Sequence, residues 1–567
     1  MRNRSNLLGV WFFLMALSLP AIIFSQQGRV TTRAGSPERP AVGKAGPGGK
    51  SAVTTAVVRN DLSEALSVIQ ENYIDGTKLD YNSIFKSSIN SMLSSLDPHS
   101  TYFDPIEFAS FKTEQRSEYF GIGATIGDLR QDGDVNTYIR ATFQEAPAAR
   151  AGLRFGDRVL EVDGQSMKGK TYPEVRKFLV GPRGTKVKVT VKHQASGNVE
   201  TVEIVRDAVP LPSIPHKYMI KPGVGYIAMT GGFNLTTSDE FKKALADLHA
   251  QGMDTLVLDL RGNRGGLLIE AVKVADAFLQ RGQLIVTQKG RIRDSSNTFA
   301  ALNDHPDQTP LVVLVNDQTA SAAEIVAGAL QDHDRALIVG ETTFGKGLVQ
   351  YPYQLDYDSA LLLTVAKYFT PSGRLIQRDY SNGGFYDYYT HGGVANDGKT
   401  QTPALGPESL TDTGRKVYGG AGISPDEVVK PTTGNRIEAR MIDPIFAFSL
   451  ELASGRIPGF DKYVVQRPIE YNHDIKATDF PVTDALFKAL KSFVASKPTF
   501  KITGEQFEHE RAFVEKYLRF DLSTAAYGYT SAFQVLLSDD AQIARAIEVM
   551  PRARALAQAA LRVHSRS

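Results

Sequence analysis

The chain has 567 residues, of which 42% are apolar and 22% charged, values that are ordinary for globular proteins. Its length allows about three or four domains, and its composition excludes disorder or a collagen-like structure for the whole chain. The formal net charge of +2 gives no reason to expect a nucleic-acid partner. Cysteine is absent, which excludes disulfides, thiolate metal sites, cysteine nucleophiles and a lipid-modified N-terminal cysteine.

The N-terminus has the layout of a secretory signal. Arg2 and Arg4 precede an apolar run from Leu7 to Phe24. A buried N-terminal helix is the weaker alternative, because residues 26–52 lack apolar periodicity and are rich in glycine, proline and alanine, which predicts a flexible linker. We predict that residues 1–25 are a signal peptide or an uncleaved membrane anchor, since the run is just long enough to span a bilayer. The predicted location is the periplasm or cell envelope.

The rest of the chain divides into four parts by its apolar pattern. Residues 53–115 have helical spacing, and residues 116–207 combine short strands with glycine-rich turns, including a strand predicted at 119–126. Residues 208–430 alternate continuously apolar strands with helices, which predicts an α/β sheet covered on both faces. Residues 431–567 return to helical spacing and form an extension with no assigned role.

Three loops follow the carboxyl ends of core strands, where open α/β sheets bind their ligands. They are RGNRGG (261–266), NDQTAS (316–321) and ETTFGKG (341–347). Ser321 begins a predicted helix, and with Glu324 it matches a capping box, which is the structural interpretation. The functional interpretation is a nucleophile, because the amide of Ala322 and the helix dipole could stabilise an oxyanion beside it.

Lys346 lies between two glycines and near apolar strands. The segment 340–347 resembles a phosphate-binding loop, but Gly347 replaces the magnesium-binding hydroxyl and a strand is predicted to follow, so nucleotide binding is disfavoured. A solvated loop lysine is the other alternative. If the lysine is desolvated, its pKa falls and it can act as a neutral base. Gln350, four residues later, would then face the same side of a strand and could orient the amine.

Histidine offers a weaker catalytic partner for the serine. His333 lies at the opposite end of the helix that Ser321 begins, about 18 Å away. His99 follows an Asp-Pro pair and fits a structural turn. A Ser–Lys pair is therefore favoured over a Ser–His–Asp triad.

Seven short motifs, taken together and in order, resemble the tail-specific, C-terminal-processing serine peptidases of bacteria and plastids. They are LDPHSTYF (96–103), FGIGA (120–124), APAARAGLRFGDRVLEVDG (146–164), LDLRGNRGG (258–266), TASAAEI (319–325), GETTFGKGLVQ (340–350) and YFTPSGRLIQ (368–377). The resemblance implies a multidomain α/β fold with a crotonase/ClpP-like peptidase core (208–430) and an inserted PDZ-like β domain (116–207). The parts before and after these, 53–115 and 431–567, would be helical.

The resemblance also implies the chemistry. Ser321 would be the nucleophile of a Ser/Lys dyad, Lys346 the general base and later the acid, and Gln350 the residue that orients the lysine. No metal and no cofactor would be needed. The substrates would be proteins or peptides with an apolar, accessible C-terminus, cleaved by an endopeptidase.

Two groups of backbone amides complete the implied site. The oxyanion hole would combine the amide of Ala322 with that of Gly265, the favoured residue, or of Gly266. The substrate tail would add as a strand to the PDZ-like domain, with its carboxylate held by four residues: Phe120, Gly121, Ile122 and Gly123.

Two other classes of function compete with the peptidase. A catalytically inactive PDZ scaffold would bind protein C-termini without cutting them, but it would need neither Ser321 nor Lys346. A nucleotide-dependent enzyme depends only on the imperfect loop at 340–347. Homo-oligomerisation, an adaptor partner and membrane anchoring stay open, as does the question whether the PDZ-like domain activates or inhibits.

Overall fold

The computed structural model describes residues 54–131, 133–381, 388–389, 406–465 and 468–564. The predicted signal or anchor and the linker, residues 1–52, lie outside the described residues. The chain forms two compact units, one ending at Met92 and one beginning at Leu93. None of the helices among the described residues combines the length and hydropathy that crossing a membrane requires.

The elements are numbered here in chain order. The α-helices are α1 (Thr55–Asn72), α2 (Tyr81–Ser94), α3 (Pro105–Glu114), α4 (Pro147–Arg150), α5 (Tyr172–Leu179), α6 (Thr237–Ala250), α7 (Leu268–Asp276), α8 (Ala322–Asp332), α9 (Arg436–Ala453), α10 (Asp484–Ala495), α11 (Gly504–His509), α12 (Arg511–Leu537) and α13 (Ala541–His564). The strands are β1 (Thr101–Phe103), β2 (Glu118–Gly121), β3 (Ala124–Gln131), β4 (Asp134–Thr142), β5 (Arg158–Val162), β6 (Gln165–Ser166), β7 (Lys186–Lys192), β8 (Val199–Val205), β9 (Asp207–Pro210), β10 (His216–Lys221), β11 (Val224–Ala228), β12 (Thr255–Asp259), β13 (Leu284–Gly290), β14 (Asn297–Ala300), β15 (Leu311–Val315), β16 (Ala336–Gly340), β17 (Leu348–Gln354), β18 (Ala360–Phe369), β19 (Glu408–Leu410), β20 (Lys416–Tyr418) and β21 (Glu427–Val428).

The first unit contributes α1 and most of α2 to the described residues. Helix α1 begins at an N-cap threonine, Thr54, whose hydroxyl accepts a hydrogen bond from the Val57 amide. All of its residues are exposed.

The second unit is organised around a six-stranded sheet in the order β10-β11-β12-β15-β16-β21. Within this sheet β11, β12, β15, β16 and β21 run parallel to one another, and the edge strand β10 runs antiparallel to β11. On β12, Leu256 and Leu258 pack against the helices α6, α7 and α8, whereas Val257 faces the opposite side. Both faces are apolar, which explains why these strands are continuously apolar in the sequence.

The opposite face of this sheet is covered by the last described helix. Helix α13 packs on β12, β15 and β16. Its buried residues Ile543, Val549 and Met550 join one cluster with sheet residues such as Val257 and Leu314. Part of the C-terminal helical extension is therefore a layer of the α/β core.

A second, antiparallel sheet has the order β1-β18-β13-β14, with β17 also paired to β18. It brings the segment 96–103 beside the β17–β18 hairpin, because β1 pairs with β18 in the register Thr101–Leu362 to Phe103–Ala360. This sheet carries several residues of the candidate site.

The PDZ-like part contains the sheet β3-β4-β5-β7-β8, with β6 paired to β5, and the helix α5. The predicted single strand at 119–126 is wrong. It is two strands: β2 pairs with β9, whereas β3 pairs with β4. Gly123, with φ of +72°, lies at the break, since an added Cβ there would meet the Ala146 side chain at 2.3 Å.

Helices α9 and α12 pack on the PDZ-like sheet. The Phe446 ring of α9 makes edge contacts with Tyr138 and Phe155, with centroids 5.7 and 5.5 Å apart. The Arg140 guanidinium of β4 lies over the same ring, 3.2 Å from its centroid. The helical extension thus contacts the PDZ-like sheet through α9 and α12 and the core sheet through α13.

Candidate active site

Ser321 lies between strand β15 and helix α8. It is the N-cap of α8 and has φ of 58° and ψ of −119°, a conformation that costs a non-glycine residue about 1–3 kcal/mol. Its side chain is partly exposed, although every residue of α8 is buried. Strain of this kind is concentrated at functional sites, where the surrounding packing holds it in place.

The buried carboxylate of Glu324 connects the serine loop to the lysine loop. Its Oε2 accepts hydrogen bonds from the amides of Ser321 (2.8 Å) and Lys346 (2.9 Å). Its Oε1 accepts from the amide of Gly345 (2.8 Å) and from the Thr343 hydroxyl. The bond to the Ser321 amide is the carboxylate half of the predicted capping box. The same carboxylate therefore also positions the backbone of Lys346.

Lys346 is partly buried, and burial is the main reason that its pKa falls to about 8. The negative charges of Glu324 and Asp97 oppose this and raise the pKa, but desolvation outweighs them. The amine therefore loses its proton near neutral pH, which suits a general base.

A tyrosine from the second sheet joins the two loops from another side. The Tyr368 hydroxyl lies 2.9 Å from the backbone oxygen of Ser321 and 2.6 Å from that of Lys346. The side chain is fully buried, and burial raises its pKa well above the ordinary value, so it stays a hydrogen-bond donor. The backbones of Ser321 and Lys346 are thus held within reach of one hydroxyl group.

Gln350 belongs to a chain of polar side chains across the β17–β18 hairpin. Its Nε2 donates to Thr364 Oγ1 (3.1 Å), and that hydroxyl donates to Asp97 Oδ1 (3.0 Å). Asp97 also accepts hydrogen bonds from the His99 amide (2.8 Å) and the Ser100 hydroxyl (2.6 Å). These bonds hold down the pKa of Asp97 against the effect of burial.

The strand argument that related Gln350 to Lys346 is wrong. Lys346 precedes β17, which begins at Leu348, and the β17–β18 register shifts between Val349 and Gln350. Alternation within one strand therefore says nothing about which way the two side chains face.

His99 lies within the electrostatic reach of the lysine. Its pKa falls to about 3 because of burial and, secondarily, the charge of Lys346, while Asp97 opposes the shift. Its Nε2 is 2.7 Å from the Tyr388 hydroxyl. His99 is therefore neutral at physiological pH. It belongs to the predicted turn and also lies near enough to Lys346 to interact with its charge.

The loop RGNRGG lies against Ser321. A Cβ added to Gly265 would come within 2.7 Å of Ser321 Cβ and 2.9 Å of the Ala322 nitrogen. The amide of Gly265 donates to Asn263 Oδ1 (2.9 Å), so it is already engaged. The amide of Gly266 has no acceptor among the described residues, and the same holds for Ala322 in the first turn of α8.

The predicted tail-binding residues lie at the edge of the PDZ-like sheet. Phe120 and Gly121 end β2, and Ile122 and Gly123 lead into the edge strand β3, beside which α5 packs. The carbonyl groups of Ile122 and Gly123 accept hydrogen bonds from Ala148 (2.7 Å) and Phe143 (3.1 Å). Their amides have no acceptor within the described part of the chain.

Neither His333 nor the phosphate-loop alternative fits the surroundings of Ser321. His333 is the C-cap of α8 and contacts Asp412 and the Leu284 carbonyl, at the other end of the helix from Ser321. The loop 340–347 leads into strand β17, not into a helix. Four residues of the site were not predicted as functional: Asp97, Glu324, Thr364 and Tyr368. Glu324 had a signal in the capping box, and Asp97 and Tyr368 lie within two of the motifs that carry the resemblance, whereas Thr364 had none.

Comparison with known proteins matches two central parts of the chain to known protein families. Residues 223–384 match the model of peptidase family S41, and residues 144–193 match that of the PDZ domain. The carboxy-terminal-processing protease of Bartonella bacilliformis is 36% identical over 302 residues, which are 53% of this chain and 68% of that protein. The carboxy-terminal processing protease CtpA of Bacillus subtilis is 35% identical over 332 residues, 58% of this chain and 69% of that protein.

Among solved structures, the photosystem II D1 C-terminal processing protease is 27% identical, with a TM-score of 0.33, and the match covers 65% of this chain and 92% of that one. A relative from Staphylococcus aureus, 34% identical over 319 residues, is described as a probable CtpA-like serine protease; the match covers 56% of this chain and 62% of that protein. The multidomain α/β fold with a PDZ domain agrees with these matches. The chain therefore belongs to the carboxy-terminal processing proteases, which are serine-type peptidases of family S41.

Proposed function

We propose that the protein is an exported serine endopeptidase that cleaves proteins near apolar C-terminal tails, with Ser321 as nucleophile and Lys346 as general base. One observation carries this proposal. Glu324 binds the amides of both residues, and burial lowers the pKa of the same lysine to about 8. A serine and a lysine of lowered pKa, with their backbones held by one buried carboxylate, fit a Ser/Lys dyad.

The reaction follows from these roles. Neutral Lys346 takes the proton of the Ser321 hydroxyl as its oxygen attacks the scissile carbonyl carbon, and a tetrahedral intermediate forms. The ammonium then gives that proton to the leaving amine as the peptide C–N bond breaks. A water molecule attacks the acyl-enzyme ester, again with Lys346 as base, and releases the new carboxyl terminus.

For the oxyanion we favour the amides of Ala322 and Gly266 over that of Gly265. The Gly265 amide is bonded to Asn263, whereas the other two have no acceptor among the described residues. Donors of this kind stabilise negative charge best when they are fixed before the reaction begins. The backbone around Gly266 is fixed, because the Phe233 amide donates to the Gly265 oxygen (2.9 Å) and the Leu267 amide to the Phe233 oxygen (2.7 Å).

Substrate tails would bind at residues 120–123. The amides of Ile122 and Gly123 lack acceptors within the described residues, and β3 is an edge strand to which a peptide can add. The signal-like pattern in residues 1–25 supports export to the cell envelope. Proteins with apolar C-termini are therefore the proposed substrates.

Gln350 is proposed to act indirectly, through its hydrogen-bonded chain to Asp97.

The test uses an unstructured protein with an apolar C-terminus and mass spectrometry of the products. We expect cleavage by the wild type and none by Ser321→Ala or by Lys346→Arg, since a guanidinium stays protonated. Ser238→Ala and Lys367→Arg are the matched controls and should cleave normally. Tail binding without cleavage by the wild type would favour the inactive-scaffold alternative, and full activity of Ser321→Ala would exclude Ser321 as the nucleophile.

A further inference from the structure

Three potential metal ligands meet at the opposite end of helix α8 from Ser321. They are His333, the C-cap of α8, Asp412, in the loop between β19 and β20, and His564, in the last turn of α13. Asp412 Oδ2 lies 2.6 Å from His333 Nδ1 and 2.8 Å from His564 Nε2. All three atoms lie within 4.8 Å of one another, and no other such trio of His and carboxylate ligands occurs among the described residues.

The hydrogen bonds around His333 leave a lone pair facing the carboxylate. Its Nε2 is 2.7 Å from the Leu284 carbonyl oxygen, which can only accept, so Nε2 carries a hydrogen. In the neutral ring Nδ1 then has no hydrogen. Nδ1 and Asp412 Oδ2 both offer electron pairs at 2.6 Å, and this contact is favourable only if a cation, either a proton or a metal ion, lies between them.

His564 makes the same kind of contact with Asp412 Oδ2, from the other side of that oxygen. Its Nε2 is 2.8 Å from Nε2 of Gln283. The orientation of the Gln283 amide is fixed, because its Oε1 accepts a hydrogen bond from the Gln280 amide (2.7 Å). Gln283 therefore presents hydrogens, and the His564 nitrogen that receives them must offer its lone pair. That nitrogen has no hydrogen left for Asp412, and a metal ion between them would take the lone pair in place of the Gln283 hydrogen.

We propose that His333, Asp412 and His564 bind a divalent transition-metal ion, Zn²⁺ being the best match. Two imidazoles and a carboxylate, with water as a fourth ligand, form a common zinc ligand set. The bond from His333 Nε2 to the Leu284 carbonyl is the outer contact that typically orients a metal-bound histidine. The His333 side chain is 8% exposed, and those of Asp412 and His564 are 26% and 27% exposed, so an ion and its water can enter from solvent.

Loading the ion requires the Gln283 amide to release His564 Nε2 and the Asp412 oxygen to move a short distance. Zinc bonds to nitrogen and oxygen are about 2.0–2.2 Å, which separates tetrahedral ligand atoms by about 3.3 Å. The Asp412 oxygen therefore recedes by roughly half an ångström from each imidazole. His333 lies about 18 Å along α8 from Ser321, so the ion is too far away to take part in the reaction at Ser321, and its role is structural.

The ion would fasten three elements that are distant in the sequence. It would join the end of α8, the β19–β20 hairpin and the end of α13, the helix that covers one face of the core sheet. Because the ligands converge only in the folded chain, the free energy of binding adds to the stability of this arrangement.

Cobalt titration of the full chain tests the proposal. The protein is purified without a histidine tag, treated with a chelator and titrated with Co²⁺, followed by competition with Zn²⁺. We expect one equivalent to bind with the visible absorption of tetrahedral Co²⁺, Zn²⁺ to displace it, and the melting temperature to rise. His564→Gln and Asp412→Asn should each weaken binding by more than the about 10–100-fold typical of losing an outer partner.

His249→Gln is the matched control, since it breaks another His–carboxylate contact, with Asp307 at 2.7 Å, that has no third ligand. It should leave Co²⁺ binding unchanged. Melting in excess chelator shows whether the ligand variants fold like the wild type. No stoichiometric uptake by the wild type, or equal binding by His564→Gln and Asp412→Asn, overturns the proposal and leaves a protonated His333 paired with Asp412.

Discussion

The pKa of Lys346 is decided by a competition between burial and charge. Two carboxylates, Asp97 and Glu324, favour the ammonium, yet desolvation is the largest effect and the pKa falls to about 8. Neutral His99 adds no positive charge at working pH. The site therefore yields a neutral amine near pH 8, although acidic residues lie close to it.

This value predicts the pH dependence of the reaction. Only the deprotonated lysine can accept the serine proton, so kcat/KM should rise about tenfold per pH unit up to pH 8 and level off above it. The measurement is kcat/KM between pH 6 and 10, with the exposed Lys367→Arg variant as a control of unchanged profile. A rate independent of pH from 6 to 9 would show that Lys346 is not the base.

The oxyanion loop makes a second prediction at this scale. In Gly266→Ala the new Cβ would meet the Phe233 oxygen at 2.2 Å, so the loop must shift, and we expect kcat to fall about 10²–10³-fold, as when an oxyanion donor is lost. Gly262→Ala is the control in the same loop. It also has positive φ, but its Cβ enters open space, so it should lose little activity.

At this scale the sequence made Ser321 and Lys346 candidates from their neighbours, a helix start and two glycines. It could not reveal that Glu324 binds both loops, because the second contact joins residues far apart in the chain. It ranked Gly265 ahead of Gly266, since a motif does not say which amide is already hydrogen-bonded. That information lies in the side chain of Asn263.

Among the elements, the β17–β18 hairpin has the most direct bearing on the site. It holds the chain from Gln350 through Thr364 to Asp97 and also carries Tyr368. The sequence correctly predicted a strand after the lysine loop. The register shift beside Gln350 was hidden, because a bulge depends on the pairing of two strands and not on the pattern of either one.

Thr364→Val tests this chain. The valine keeps the shape but removes the hydroxyl, which leaves Gln350 and Asp97 each without a partner at that point, and we expect kcat to fall about tenfold with little change in KM. The assay is steady-state kinetics with the peptide substrate. Thr201→Val, which removes a hydroxyl from the Thr190–Thr201 pair on the PDZ-like sheet, should have normal kcat. Equal kcat in both variants would rule out a positioning role.

On the scale of the whole molecule, the C-terminal helices complete two other parts of the protein. Helix α13 forms the second apolar cover of the core sheet, while α9 and α12 pack on the PDZ-like sheet. The helical pattern of residues 431–567 indicated buried faces. It could not indicate their partners, because amphipathic spacing tells which side of a helix is covered and not by what.

Met550→Asp tests whether α13 belongs to the core. Met550 is 6% exposed and contacts the sheet cluster, so an unpaired charge there should lower the free energy of unfolding by about 3 kcal/mol or more. Urea denaturation measures the change, and Gln558→Asp, on the exposed side of the same helix, should be close to the wild type. A small loss in Met550→Asp would mean that the sheet is stable without this cover.

The position of α13 in the chain has a consequence for biosynthesis. A ribosome finishes the serine and lysine loops well before it reaches Ala541. Until then the apolar face of the core sheet that α13 covers is exposed, and we expect the sheet that carries both loops to be less stable. We therefore expect the proposed Ser321–Lys346 pair to become aligned only after α13 has been synthesised and has packed on the sheet.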